Sequence, residues 1–570
     1  MKTVRLTAAQ ALVRWLAALR VDGGERLFGG VWAIFGHGNV AGIGEALHAH
    51  RDALPTYRAH NEQAMAHAAI AYAKAHMRRR MMACTTSIGP GATNMVTAAA
   101  LAHVNRLPVL LLPGDIFVSR APDPVLQQIE DFHDGGISAN DCFRPVSRYF
   151  DRIVHPGQLL TALPRALHVL TDAALCGPVT LALPQDVQTM AFDWPEAFFA
   201  PPPVRFAAPA PDDGELAETA ALLTGARRPL IVAGGGTLYS LATDSLARFA
   251  DVHGVPVAET QGGKGALAWD HPLQAGAIGV TGSPAANALA HDADVVLAVG
   301  TRLQDFTTGS HSLFAQAKLV SLNVNGFDAV KWRGTPLRAD ARRGLDALSG
   351  ALAGWRADGP WTTRARDESK RWQNALLRIG APKDGALPCD GEVLAAVQRS
   401  AEASPRDDIV VCAAGTLPGE LHKLWRTARP GGYHVEYGYS CMGYEIAGGV
   451  GVKMAHPGRE VVVMVGDGSY LMMNSEIATS LMLGLKLTIV VLNNRGYGCI
   501  NRLQQACGGA PFNNLFDDCL QGPDGAPAID FAAHARSLGA HAVSVRSVAE
   551  LEAALHHARS ARQTSVVCIE

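Results

Sequence analysis

Two short stretches in the last quarter of the chain carry residue types suited to holding a polyphosphate through a metal ion. Gly466-Asp467-Gly468-Ser469 follows the apolar run Val461 to Val465, and Asn493-Asn494-Arg495-Gly496-Tyr497 follows a second, mostly apolar run from Lys486 to Leu492. Both runs are short, apolar and bounded by turn residues, which predicts buried strands. The segment between them, Asn474 to Leu483, has helical composition, so the whole reads as a strand-helix-strand crossover. Such a crossover puts both strand ends on one edge of the sheet, where ligands bind in open α/β sheets. Asp467 and Asn494 then converge as hard oxygen donors that suit Mg²⁺ bound together with phosphate. Gly466 and Gly468 let the backbone turn tightly against such a ligand. Either piece alone is an ordinary turn or strand terminator; the pairing carries the chemistry.

Other elements must position the rest of a site. Ala9 to Leu19 reads as an amphipathic helix and Trp32 to Phe35 as a strand, left by the loop Gly36-His37-Gly38-Asn39. Its glycines allow close approach to a ligand, which makes His37 a substrate-facing candidate. Asn61-Glu62-Gln63 opens an Ala-rich helix, Ala64 to Ala75. A carboxylate at Glu62 complements the helix dipole in the first turn whether or not it does chemistry. The polar, aperiodic loop from Asp123-Pro124 to Asp134 contains Gln127, Gln128 and His133 and could border a site. Farther on, a strand from Asp408 to Ala413 enters Ala414-Gly415-Thr416-Leu417-Pro418-Gly419, whose glycines and hydroxyl suit the outer edge of a diphosphate. The loop Gly438 to Glu445, with Ser440 and Met442, precedes a small-residue helix from Ile446 to Lys453.

Together these motifs resemble the signature of the thiamine diphosphate enzymes, and the resemblance covers nearly the whole chain. It implies α/β architecture with three doubly wound parallel-sheet domains: pyrimidine-binding (1–195), Rossmann-like middle (205–375) and diphosphate-binding (385–570). It implies that Asp467, the Asn494 side chain and the Gly496 carbonyl ligate Mg²⁺, while Gly415, Thr416, Gly468 and Ser469 contact the diphosphate. Glu62, in Asn-Glu-Gln-Ala-Met-Ala-His-Ala-Ala, matches the carboxylate that pairs with N1′ of the aminopyrimidine and so promotes loss of the thiazolium C2 proton. Met442 matches the apolar wedge under the cofactor, and the Ser440 carbonyl the acceptor for its 4′-amino group. The turn Gly89-Pro90-Gly91-Ala92-Thr93-Asn94 is similar to that of acetolactate-synthase-like members.

Three further stretches, Ile34 to Val40, Arg120 to Gln128, and Asn501 to Asn514, resemble a branch of the superfamily that hydrolyses a cyclic polyol dione. That branch breaks a carbon–carbon bond and opens the ring to 5-deoxy-D-glucuronate in myo-inositol catabolism. His37, Gln128 and His133 stand as candidates for handling the water. The resemblance also implies a homodimer or homotetramer with active sites at the subunit interface. An acetolactate-synthase-like carboligase or 2-oxoacid decarboxylase would use the same metal and cofactor residues. The rival from another class is a nucleotide-binding oxidoreductase built on the middle domain, where FAD stays an open question. Gly234-Gly235-Gly236 lacks the third spaced glycine of a dinucleotide fingerprint, and Arg302 is a weak phosphate candidate.

Composition narrows the partner class. With 50 Lys and Arg against 52 Asp and Glu and no basic stripe, nucleic-acid and membrane-surface binding have no electrostatic support, so the expected ligand is a small molecule. The first residues lack the apolar core of a signal peptide, and no apolar run approaches a bilayer span, which predicts a cytoplasmic protein. The ten cysteines include no Cys-x-x-Cys pair and read as thiols. The sequence stops at Glu570 within an expected strand, where family members continue, so the third domain is expected to be truncated.

Overall fold

Apolar runs form three six-stranded parallel sheets in the computed structural model, which describes residues 2–383, 388–401 and 407–570. Residue 385, the expected start of the third domain, and Asp384 beside it lie outside the described residues. The N-terminal region forms β1 (Thr3–Thr7), β2 (Phe28–Ile34), β3 (Thr56–Tyr57), β4 (Met81–Thr86), β5 (Val109–Asp115), β6 (Tyr149–Arg152), β7 (Pro178–Pro184) and β8 (Ala191–Pro195). Its sheet runs β3-β2-β4-β5-β7-β6, and β1 pairs separately and antiparallel with β8. Next come β9 (Pro229–Ala233), β10 (Val257–Glu259), β11 (Gln274–Ala277), β12 (Val295–Val299), β13 (Lys318–Leu322) and β14 (Thr335–Leu337), in the order β11-β10-β9-β12-β13-β14. The last set is β15 (Ile409–Cys412), β16 (Tyr433–Val435), β17 (Val461–Gly466), β18 (Thr488–Leu492), β19 (His541–Val545) and β20 (Ser565–Ile569), ordered β16-β15-β17-β18-β20-β19.

The central strands β4, β5, β7 and β15 are buried along their full length, as expected where helices cover both faces of a parallel sheet. The first and third sheets share one strand order, and the middle sheet follows the dinucleotide-fold order. In each, the order reverses between two central strands, and that crevice is the natural ligand edge. In the middle sheet the crevice lies between β9 and β12, and backbone fills it. A Cβ on Gly234 would come within 2.5 Å of the Gly300 carbonyl oxygen, one on Gly236 within 2.6 Å of the Gly300 Cα, and Gly236 N–H donates to Gly300 O at 2.8 Å. Those glycines serve close packing.

By density of internal contacts the chain divides into two compact units. One comprises Met1–Ala207 with Ile446–Pro457 and Met473–Leu485; the other comprises Ala208–Glu445, Gly458–Met472 and Lys486–Glu570. Within the first, the helix Glu62–Ala75 is capped by Asn61, whose side chain accepts from Ala64 N–H at 3.1 Å. Gly451 lets a second helix lie against it, since a Cβ there would overlap the Ala68 carbonyl.

Several boundaries differ from the sequence reading. The strand expected from Trp32 to Phe35 begins at Phe28 and ends at Ile34, with a register irregularity between Phe28 and Val31. Gly29 and Gly30 cause the mismatch: they weaken the strand pattern, yet they admit the Tyr72 ring and the Pro55 carbonyl. The helix expected from Ile446 to Lys453 spans Tyr444–Ala455, and the Gly89 to Asn94 turn holds a short turn of helix at Pro90–Thr93. Among the described residues, no helix is long and apolar enough to cross a membrane.

Candidate active site

In the second unit, the reversal point of the third sheet lies between β15 and β17, and the loops leaving these strands carry Gly415-Thr416 and Asp467 to Ser469. Asp467 is fully buried at the start of the helix Asp467–Met472. Its carboxylate accepts from Asn494 N–H at 3.2 Å and Gly496 N–H at 2.7 Å, which folds the β18 exit loop onto the end of β17. Burial pushes the Asp467 carboxyl above its ordinary range, against the pull of those donors. Three oxygens gather here. As placed, the Asn494 amide oxygen lies 3.2 Å from Asp467 Oδ1 and 2.7 Å from the Gly496 carbonyl; turning the amide would instead donate its NH₂ to both. Ligands at 2.0–2.1 Å on adjacent corners of an octahedron are about 2.9 Å apart, so the oxygen arrangement fits a small hard cation shared by these groups. The donor set of one carboxylate, one amide and one carbonyl leaves room for phosphate oxygens and water.

Around this corner, Ser469 donates to Glu445 Oε2 at 2.7 Å and accepts from Gly443 N–H at 2.8 Å. Gly468 packs against the Tyr497 ring. The Thr416 hydroxyl accepts from the Arg502 guanidinium, a cation that the sequence reading did not assign. Ser440 takes a left-handed backbone conformation, φ 53°, and Glu436 holds it there by accepting from Tyr439 N–H at 2.8 Å and Cys441 N–H at 2.9 Å. Met442 follows, half-buried. Glu436 and Glu445 were both missed because an isolated Glu in sequence looks like a surface charge; each is 1% exposed.

In the first unit, the matching reversal point lies between β2 and β4, and an open cavity of about 700 Å³ occupies it. Phe35, His37, Glu62, Ser87, Asn94 and Gln127 line its wall. Asn39 braces the His37 loop, accepting from Gly36 N–H at 3.0 Å and donating to Thr85 Oγ1 at 3.1 Å. Glu62 Oε2 accepts from the Asn94 amide at 2.8 Å. A Cβ at Gly91 would sit 3.2 Å from Glu62 Oε1, so the glycine keeps that second oxygen uncovered.

His37, Glu62 and Gln127 therefore share one cavity, and Gln128 and His133 do not line it. Gln128 Oε1 accepts from Ala139 N–H at 3.1 Å, while exposed His133 follows a turn closed on Asp131. The loop carrying them is tied down by Arg152, which donates to Asp115 Oδ2 and Asp141 Oδ2 at 2.7 Å and to Ser138 Oγ and the Gly136 carbonyl at 2.9 Å. Asp115 is fully buried, so removing its partner strands a charge, at a cost of about 3–5 kcal/mol. Arg152→Ala should lower the chemical-denaturation midpoint accordingly, and Arg152→Lys should recover only part because the fork is lost. An unchanged midpoint in Arg152→Ala contradicts this anchoring.

Three family models match the chain. Residues 6–134 match the N-terminal TPP binding domain of thiamine pyrophosphate enzymes, 216–348 the central domain and 413–569 the C-terminal TPP binding domain. The chain belongs to the thiamine pyrophosphate (thiamine diphosphate) enzyme family. Among its relatives, a protein of Geobacillus thermodenitrificans (strain NG80-2) named 3D-(3,5/4)-trihydroxycyclohexane-1,2-dione hydrolase is 45% identical, the match covering 97% of this chain and 91% of the relative. A protein of the same name from Bacillus anthracis (strain CDC 684 / NRRL 3495) is 42% identical over 100% of this chain and 93% of its own length.

Proposed function

We propose that this enzyme hydrolyses 3D-(3,5/4)-trihydroxycyclohexane-1,2-dione, breaking the bond between its carbonyl carbons to give 5-deoxy-D-glucuronate in cytoplasmic myo-inositol degradation. The observation that carries the substrate is the near-full-length similarity to relatives of that name. The polar cavity wall supports it, since His37, Ser87, Asn94 and Gln127 offer hydrogen-bonding groups to a ring bearing several hydroxyls.

Thiamine diphosphate, when bound, supplies a nucleophilic carbon and an electron sink for the broken bond. The residues set the conditions for this. Asp467, the Asn494 amide oxygen and the Gly496 carbonyl would hold Mg²⁺, and Gly415, Thr416, Gly468 and Ser469 would cradle the diphosphate. The Ser440 carbonyl and Met442 would orient the aminopyrimidine and thiazolium. Glu62 would hold or give up a proton at Oε1, the oxygen that Gly91 leaves uncovered, while Asn94 fixes Oε2. His37, on its braced loop in the cavity wall, is the group that would handle the water, and Gln128 supports the neighbouring loop. The active assembly is a homodimer or homotetramer, and 1–195, 205–375 and 385–570 are its domain divisions. Removing metal with a chelator should lower dione consumption by at least about a hundredfold, and Mg²⁺ with thiamine diphosphate should restore it. Full turnover after chelation, or an active species of monomer mass in sedimentation, contradicts this reading.

A further inference from the structure

The cradle around Asp467 contains a second, fully enclosed carboxylate where an incoming polyanion needs donors. We propose that Glu445 is a positioning residue that takes up one proton when the diphosphate binds, which turns the Ser469 hydroxyl from Glu445 towards a phosphate oxygen. This rests on the reading of the third sheet edge as the thiamine diphosphate site.

Ser469 has a single hydroxyl proton, and it points at Glu445 Oε2, 2.7 Å away. The hydroxyl oxygen accepts from Gly443 N–H at 2.8 Å, so Ser469 offers a ligand no proton while Glu445 is ionised. The carboxylate receives two further donors, Gly443 N–H at 3.1 Å on Oε2 and Ala414 N–H at 3.4 Å on Oε1. The titratable groups that feel its charge are Cys412 on β15 and Tyr444 beside it in sequence, and Tyr444 in turn feels Glu436, Tyr239 and Cys441; none of these is cationic. Burial already holds the Glu445 carboxyl up at about 7. A diphosphate adds negative charge to the same enclosure and favours the neutral form further. The proton comes from the medium, lodges on Oε2 and is donated to Ser469 Oγ, which frees the serine proton for the phosphate.

Calorimetry tests this with the full chain freed of cofactor, titrated with thiamine diphosphate and Mg²⁺ in two buffers of different ionisation enthalpy. At about pH 8 the wild type should take up about one proton more than Glu445→Gln, whose amide already donates to Ser469. Wild-type affinity should fall about tenfold per pH unit above about 7 relative to that variant. Should Glu445→Gln fail to fold, wild type alone decides: uptake present at about pH 8 and gone at about pH 6 supports the proposal, and uptake unchanged between them overturns it. Equal proton counts in folded wild type and variant overturn the proposal and leave the cofactor site standing. Absence of binding in both overturns the cofactor reading itself.

Discussion

Asp467→Asn should weaken Mg²⁺-dependent binding of thiamine diphosphate by at least about a hundredfold, equivalent to ~2.7 kcal/mol. The variant keeps a side-chain oxygen to accept from either the Asn494 or the Gly496 N–H, so the loop remains folded, but it removes the only carboxylate of the three-oxygen cluster. Asp467→Ala should do more harm. It leaves both N–H groups without their acceptor, and an unsatisfied buried donor costs about 1–3 kcal/mol, so stability falls together with affinity. Calorimetric titration with and without Mg²⁺ separates the two effects. Unchanged affinity in a folded Asp467→Asn protein would remove the metal clamp from the account.

The second large effect is expected at Glu62. Glu62→Gln retains the size of the side chain and a hydrogen bond to the pyrimidine ring but cannot hold the proton, so exchange of the cofactor's C2 proton should slow by roughly 10²–10⁴-fold. Binding of the cofactor should change far less. The geometry sharpens the comparison, because Asn94 holds Oε2 at 2.8 Å while Gly91 leaves Oε1 open. Gly91→Ala, which puts a methyl group 3.2 Å from that oxygen, should therefore impair exchange with the carboxylate still present. Wild-type exchange in Glu62→Gln, followed by NMR, would reduce Glu62 to a residue that merely complements its helix dipole.

Much of this organisation was legible in the residues themselves, for identifiable reasons. The strands β17 and β18 are buried parallel strands, so their apolar runs stood out and the turn residues after them marked their C-terminal ends, while β18 begins two residues later than the run Lys486 to Leu492 suggested. Glu62 was legible because Asn61 and the alanines after it announce a helix start. Strands β1, β6 and β8 were not. They are four or five residues long with few fully buried positions, so no continuous apolar run marked them. The hydrogen bonds that give the site its shape were hidden for a different reason. Arg152 meets Asp115 and Asp141, and Glu445 meets Ser469, across separations set by the sheet order, which local pattern does not encode. Gln127 and Gln128 show the same limit: two adjacent glutamines of identical chemistry are sorted into cavity wall and loop brace by backbone direction alone.

The central claim is hydrolysis of a ring, and the mass of the product tests it most directly. When a ring opens by hydrolysis both carbons of the broken bond stay tethered, so the product equals substrate plus water. Incubation of the enzyme with thiamine diphosphate, Mg²⁺ and the trihydroxylated cyclic dione in ¹⁸O-water should place one heavy oxygen in a new carboxylate of 5-deoxy-D-glucuronate, with no loss of carbon. Pyruvate under the same conditions should yield little carbon dioxide and little acetolactate. Efficient consumption of pyruvate with the dione returned intact would contradict the hydrolase and assign the same site to a decarboxylase or carboligase.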